Sequence, residues 1–148
     1  MTLVQSRPLT RAWRKSSDVA KYVLVVLLAL HGLVHGLGFA ATWKIGPVVA
    51  VSATPSLVPG LVPGGAPVQV LGVLWLVALI AFAAAAFGLL TDRTWWRSVA
   101  VTAAVVSLAL CIAWWSDAKA GAVIDIGILF LIAASALPAR HAAVGGAS

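Results

Sequence analysis

Four long apolar segments limit what this chain can fold into. They cover residues 22–42, 68–90, 98–115 and 122–137. The hydrocarbon core of a bilayer is about 30 Å thick, and a helix needs roughly 20 mostly apolar residues to cross it. The fourth segment is the shortest and is ended by Pro138, so we expect it to cross with little tilt. The pattern predicts four transmembrane helices.

The composition agrees with this and excludes an ordinary soluble domain. Hydrophobic residues make up 62% of the 148-residue chain and charged residues only 9%, against about 25% charged in soluble domains. The mean hydropathy is +1.06. A chain of this length and composition is expected to form one membrane domain. Its single cysteine, Cys111, excludes an intrachain disulfide.

The net charge is +6, and all ten Lys and Arg residues lie outside the apolar segments. It therefore indicates topology and contact with anionic lipid, and we expect no nucleic-acid partner. Eight of the ten Lys and Arg residues fall on one side of the predicted membrane, while Lys44 and Lys119 fall on the other. The positive-inside rule then predicts cytoplasmic termini. Residues 1–21 form a basic cytoplasmic N-terminal segment in this topology, and residues 138–148 form a cytoplasmic tail.

The links between segments predict an antiparallel four-helix transmembrane bundle. "TDRTWWR" and "SDAKAG" are short enough to join only adjacent antiparallel helices, and Asp117 is a candidate N-cap for the fourth. The first loop, Lys44 to Pro67, is different because it holds five of the seven prolines and the repeat "LVPGLVPGG". It could lie on the membrane surface, fold back over the bundle, or act as a mobile connector.

Small residues suited to close helix packing occur in every predicted span. Helices in lipid associate through close packing and polar contacts, since they gain little from the hydrophobic effect. The candidate packing residues are Gly32, Gly36, Gly72, Ser107 and Gly121. Such faces also allow a homo-oligomer or contact with a partner in a membrane complex.

Each span also carries one unusual residue at a similar depth. At about 1.5 Å per residue, these side chains fall in a layer in the half of the membrane nearer the first loop. The layer consists of His35, Trp75, Cys111 and Asp125, with His31 just beneath it. A bare carboxylate in hydrocarbon costs about 2.5–3.5 kcal/mol or more, so Asp125 must be protonated, near water or paired. Depth and chemistry make His35 its expected partner, and the layer predicts a polar pocket or ligand-binding site.

The two histidines of "HGLVHGLGF" allow several interpretations. His31 and His35 share one helical face, as in a bidentate metal site that Asp125 or Cys111 could complete. A haem would need a second copy of the chain, because both rings project from the same side and His141 lies in the tail. A proton or quinone site is a third interpretation. The favoured one is structural, with each ring bonded to backbone or a neighbouring side chain, so no metal or cofactor is predicted.

These motifs resemble a known group of sequences. "HGLVHGLGF", "LGVLWL" and "WWSDAKAG" are similar to small uncharacterised bacterial four-helix membrane proteins that carry His-Gly-x-x-His-x-x-Gly-Phe and Trp-x-Asp-Ala-Lys-x-Gly elements. The resemblance covers most of residues 22–137 and implies the same fold in a bacterial cytoplasmic membrane. Members of that group tend to have Asn at the position of Asp125, so it does not imply a charge there. A looser similarity is to DoxX-like four-helix proteins, some of which are associated with respiratory or thiol-redox complexes.

The sequence contains no recognisable nucleophile–base pair, phosphate-binding loop or soluble catalytic domain. We therefore expect a non-enzymatic integral membrane protein, either a small scaffold or an accessory subunit of a membrane complex. The alternative is a metal-, haem- or quinone-linked redox protein that uses His31, His35 and Asp125. A third hypothesis is a subunit of a transporter.

Overall fold

The computed structural model describes residues 9–136, with side chains from residue 18, and within that range it contains four helices. They are α1 (Leu9–Thr42), α2 (Ala66–Leu90), α3 (Trp96–Ala113) and α4 (Trp115–Ala136). Each includes a stretch long and apolar enough to cross a membrane. The predicted all-α four-helix bundle is confirmed, and the chain is a multi-pass membrane protein. The predicted tail, 138–148, and the first eight residues lie outside the described range.

The helix bounds differ from the predicted spans at several ends. α1 begins at Leu9, so much of the predicted N-terminal segment is helical, although the stretch suited to crossing a membrane begins at Asp18. α2 begins at Ala66, with proline in its first turn, where the missing backbone N–H is tolerated. α3 starts and ends about two residues before its predicted bounds, a difference within the usual uncertainty of helix ends.

α4 shows the largest difference, because it begins at Trp115 rather than at residue 122. The hairpin "SDAKAG" is itself a helical turn, interrupted at Ala118, where φ is −113° and ψ is 16°. The N-cap predicted at Asp117 is wrong. Its carboxylate accepts hydrogen bonds from the Ser52 backbone N–H at 2.8 Å and from the Ser116 hydroxyl at 3.0 Å. The Asp117 carboxylate therefore binds the first loop and does not cap α4.

The helices pack in chain order, α1 on α2, α2 on α3 and α3 on α4, and no other pair of the described helices is as close. Away from the first loop, all four helices contribute to one apolar cluster, which includes Leu28, Phe82, Ala104 and Ile128. A second cluster, at the end of the bundle near the first loop, includes Trp75, Leu110, Trp114 and Ala122. We call this end the loop end. α1 and α4 therefore pack less closely than these three pairs.

The glycines predicted to pack helices do lie at helix contacts. A Cβ atom at Gly32 would be 2.8 Å from the Cβ of Phe82, and one at Gly72 would overlap the Thr42 hydroxyl. Gly36 faces Leu79 in the same α1–α2 contact. Because these glycines are covered within the chain, the α1–α2 packing accounts for them without a second copy.

The first loop folds back over the loop end of the bundle. Its Leu57 N–H donates to the Ala113 carbonyl at 3.0 Å, and the Trp114 indole N–H donates to the Ser52 carbonyl at 2.8 Å. Together with the bond from Ser52 to Asp117, these contacts fix the loop to the turn between α3 and α4. Of the arrangements considered from the sequence, folding over the bundle is the one observed.

Candidate functional site

The two histidines of α1 are buried inside the bundle. Residues four apart lie on the same helical face, and the rings of His31 and His35 meet edge to face with centroids 4.9 Å apart. Only 5% of His31 and 1% of His35 is exposed. Phe82 of α2 packs against both rings, at 4.9 and 5.4 Å between centroids. A haem cannot be held between the rings of His31 and His35, because the two rings contact each other. The position of both histidines on one helical face already indicated this.

Four buried side chains from three helices form one hydrogen-bonded network. Nε2 of His31 lies 2.8 Å from Oδ1 of Asp125, and the Ser107 hydroxyl lies 2.6 Å from Oδ2 of the same carboxyl. That hydroxyl also lies 2.6 Å from Nε2 of His35, whose Nδ1–H donates to the His31 carbonyl at 2.8 Å. Ser107 and Asp125 have no exposed surface. The network links α1, α3 and α4 at one level of the membrane.

The prediction from depth that His35 is the partner of Asp125 was therefore wrong. His31, not His35, contacts Asp125 directly, and His35 reaches it only through Ser107. Depth along a helix can be counted from the sequence, but the rotation of each helix cannot. The bond from the His35 ring to the backbone agrees with the structural interpretation of that histidine.

Ser107 is the site residue whose role the sequence did not reveal. It was assigned to helix packing, yet it is the central bridge of the network. The available signal was its depth, since it lies less than two turns from the loop end of α3. A hydroxyl at that depth is level with the histidines, and this could have singled it out.

Trp75 and Cys111 lie beside the network rather than in it. The ring of Trp75 is 5.1 Å from that of His35, and the Cys111 thiol is 3.9 Å from the Ser107 hydroxyl. Gly121 makes room for the thiol, because a Cβ there would be 2.8 Å from Sγ. The indole N–H of Trp75 is buried and has no hydrogen-bond partner within the described part of the chain. Such an orphan donor is rare in folded proteins and calls for an explanation.

A cavity of about 410 Å³ opens between α1 and α4 beside the network. Its walls are mainly apolar and include Leu27, Leu30, Val34, Leu37, Ala120 and Ile124. At its deep side it meets His31, His35, Trp75, Cys111 and Gly121. Ala50 and Val51 of the first loop, with Asp117, line it at the loop end. Leu30 and Val34 are more than half exposed on the outer surface of the bundle, so the cavity opens towards the bilayer.

The site therefore combines apolar walls with a small number of polar atoms at one end. Nε2 of His31 is bonded to Asp125, whereas its Nδ1 has no hydrogen-bond partner among the described residues and is not enclosed by protein. No group of three His, Cys, Asp or Glu side chains among residues 9–136 is arranged to hold a metal ion. What the geometry offers is a hydrogen-bonding end to an apolar cavity, as in pockets that orient small molecules.

Comparison with known proteins gives no match: no family model, no curated protein and no solved structure is similar to the chain. The class that the fold and composition define is a multi-pass, all-α membrane protein with a four-helix bundle. The two resemblances drawn from the motifs stay predictions.

Proposed function

We propose that this protein binds a lipid-soluble molecule with a polar head group, in the cavity between α1 and α4. One observation carries the proposal: an apolar cavity facing the bilayer meets, at its deep side, the buried His31 that is hydrogen-bonded to Asp125. Small-molecule pockets typically measure about 300–1,000 Å³ and are mostly apolar, with a few placed polar groups. At about 410 Å³ the cavity suits a head group, with any longer tail remaining between the helices and the lipid.

Nδ1 of His31 specifies what the head group must offer. When the Nε2–H of His31 donates to Asp125, Nδ1 keeps a lone pair that accepts a hydrogen bond. A hydroxyl on the ligand meets this requirement, because its O–H can donate to Nδ1.

Access from the lipid is supported by the position of the opening. Leu30 and Val34, which line the cavity, are 58% and 56% exposed on the apolar surface of α1. The first loop covers the loop end, where it is fixed to the turn before α4. A ligand that enters between α1 and α4 keeps its apolar part in hydrocarbon throughout.

Filling the cavity tests this proposal. The protein would be reconstituted in nanodiscs made with native lipid extract, repurified, and extracted for mass spectrometry. We expect a hydroxyl-bearing lipid-soluble compound to co-purify with wild type and to be lost in Val34→Trp, whose side chain would occupy the cavity. Leu33→Trp is the matched control, since Leu33 is 64% exposed on the same helix and does not line the cavity. Equal lipid profiles for all three proteins would contradict ligand binding.

This activity is a specific form of the accessory-subunit function predicted from the sequence. A ligand-binding subunit of a membrane complex fits it, and a quinol, which carries hydroxyls, is one ligand of the right chemistry. Transport is less well supported, because the apolar cluster around Leu28, Phe82 and Ile128 fills the bundle beyond the network. The metal and haem alternatives gain no support from the geometry of the two histidines.

We also propose that the protein lies in a bacterial cytoplasmic membrane with both termini in the cytoplasm. Lys21, Arg93 and Arg97 support this, as they lie at the end of the bundle opposite the first loop. Reporter fusions provide the test. A fluorescent protein fused after Ser148 should fold and fluoresce, while alkaline phosphatase at the same position should be inactive. The reverse pattern would place the first loop in the cytoplasm.

A further inference from the structure

The hydrogen bonds of the network determine how its protons are placed. A carbonyl can only accept, so the bond to the His31 carbonyl puts a proton on Nδ1 of His35. The Ser107 hydroxyl lies 2.6 Å from both Nε2 of His35 and Oδ2 of Asp125. It has one proton and can donate to only one of them. The other contact therefore needs a proton that belongs to the histidine or to the carboxyl.

Two arrangements satisfy every contact with the same number of protons. In the neutral arrangement, Asp125 is protonated at Oδ2 and donates to Ser107, which donates to Nε2 of His35. In the ionic arrangement, His35 is protonated at both nitrogens and donates to Ser107, which donates to the carboxylate. They differ only in the position of two protons, and the neutral one avoids charge in a low-dielectric region. In both, Oδ1 of Asp125 accepts from His31.

We propose that this network accepts the proton of an acidic hydroxyl on the ligand and passes it from His31 to His35. The inference rests on the proposed function, because the hydroxyl must be bound in the cavity. The ligand O–H proton moves to Nδ1 of His31 as the Nε2 proton moves to Oδ1 of Asp125. The Oδ2 proton then moves to Ser107, and the Ser107 proton moves to Nε2 of His35. Four bonds to hydrogen break and four form, leaving a ligand oxyanion and a protonated His35.

The oxygen that loses its proton is stabilised by His31 itself. After the transfer, Nδ1 of His31 carries a proton and donates a hydrogen bond to the ligand oxyanion, and hydrogen bonds to charged groups are stronger than neutral ones. This bond stabilises the product of the transfer more than the starting hydroxyl.

This chemistry selects the class of ligand. A phenolic hydroxyl has a pKa of about 10, whereas that of water is about 15.7 and that of an imidazolium about 6.5. A phenol can share its proton with imidazole when the resulting ions are paired and hydrogen-bonded, while an ordinary alcohol is too weak an acid. The ligand class is therefore lipid-soluble phenols, which include quinols.

A coloured probe measures the transfer directly. A 2-alkyl-4-nitrophenol changes its visible absorption on ionisation, and it can be titrated with pH in nanodiscs with and without the protein. In wild type, we expect the bound probe to be half ionised about one pH unit lower than in empty nanodiscs, a change of about tenfold in the equilibrium. The titratable groups that line the cavity or adjoin the network are His31, His35, Cys111, Asp117 and Asp125.

Asp125→Asn separates proton transfer from folding. The amide oxygen can still accept from His31 and the amide N–H can donate to Ser107, so the neutral hydrogen-bond pattern is kept. The amide has no proton to pass on, and the probe should bind with its ionisation returned to that in empty nanodiscs. His35→Gln is the second variant, because it removes the final proton acceptor but leaves an oxygen that can accept from Ser107. It should give the same loss.

The outcomes distinguish the two proposals. Failure of the probe to bind wild type, or equal binding in wild type and Val34→Trp, would overturn the proposed function. Cavity-dependent binding with no change in ionisation, or with the same change in Asp125→Asn and His35→Gln, would overturn the proton path and leave ligand binding intact.

Discussion

At the scale of single residues, Asp125 shows how a carboxyl is accommodated inside a membrane protein. It has no exposed surface, yet both of its oxygens are hydrogen-bonded, one to His31 and one to Ser107. Hydrogen bonds between membrane helices contribute only about 0.6 kcal/mol on average, because the unfolded chain also finds partners in the membrane. Each bond by itself therefore adds little to the total stability, whereas leaving one of its partners buried and unsatisfied costs more.

The same residue marks the limit of what the sequence could predict about the site. The sequence indicated a paired or protonated carboxyl, and its level in the membrane brought the two histidines into consideration. It could not decide between His31 and His35, which lie one turn apart on the same face. Only the rotation of α4 against α1 decides, and that depends on the packing of many apolar side chains with no strong periodicity.

The contribution of the Asp125 hydrogen bonds to stability can be measured by comparing two substitutions, one that removes the carboxyl and one that replaces it with an amide. Asp125→Ala leaves the His31 N–H and the Ser107 hydroxyl without their shared acceptor, and each buried unsatisfied group costs about 1–3 kcal/mol. We expect a loss of about 2 kcal/mol or more for Asp125→Ala and under about 1 kcal/mol for Asp125→Asn, which keeps the bonds. Reversible unfolding in mixed micelles measures both. Equal losses would mean that the carboxyl's hydrogen bonds do not stabilise the fold.

At the scale of the helices, hydropathy alone located all four spans, since a 30 Å apolar core imposes the same requirement on each. The ends were less certain. α4 begins early because its first turn, at Trp115 to Asp117, is held by the first loop and not by a cap of its own. A contact with a segment more than 60 residues away leaves no local signal in the sequence.

The α1–α2 contact at Gly38 provides a prediction at this scale. A Cβ atom there would overlap the indole ring of Trp75, which is 3% exposed and has little room to move. Overpacking of this kind typically costs about 1–3 kcal/mol, and we expect Gly38→Ala to destabilise the protein by that amount. Thermal unfolding in detergent, followed by near-UV circular dichroism, would report the loss and the displaced indole.

Gly127 is the matched control for this substitution. A Cβ at Gly127 would meet nothing within 4 Å, and alanine is a better helix former by about 1 kcal/mol. Gly127→Ala should therefore leave stability unchanged or raise it. Similar behaviour of the two variants would show that the contact between Gly38 and Trp75 tolerates a methyl group.

At the scale of the whole molecule, the first loop is the part that the sequence described least. Its prolines and glycines excluded a helix, but they gave no periodicity from which to place the segment. The structure shows it fixed across the bundle by Ser52 and Leu57, with Ala50 and Val51 lining the cavity. A segment of irregular backbone thus closes one end of a site otherwise built by helices.

A substitution that removes one of these hydrogen bonds tests whether they hold the first loop on the bundle. Trp114→Phe removes the indole N–H that donates to Ser52 at 2.8 Å, while an aromatic ring remains in the core. We expect faster hydrogen exchange across residues 50–57, with the exchange of α2 and α3 little changed, because loops held by few contacts open locally. Trp115→Phe is the control, since Trp115 is 45% exposed on the neighbouring position. Equal exchange in both variants would show that the indole bond does not hold the loop.

The opening between Leu30 and Val34 has a consequence for how occupancy must be measured. A ligand that reaches the cavity from the bilayer is governed by its mole fraction in the lipid, not by its concentration in water. Adding buffer to a vesicle suspension should then leave the bound fraction almost unchanged, whereas adding empty vesicles should deplete it. In a cell, occupancy would depend on how much of the compound the membrane holds relative to lipid.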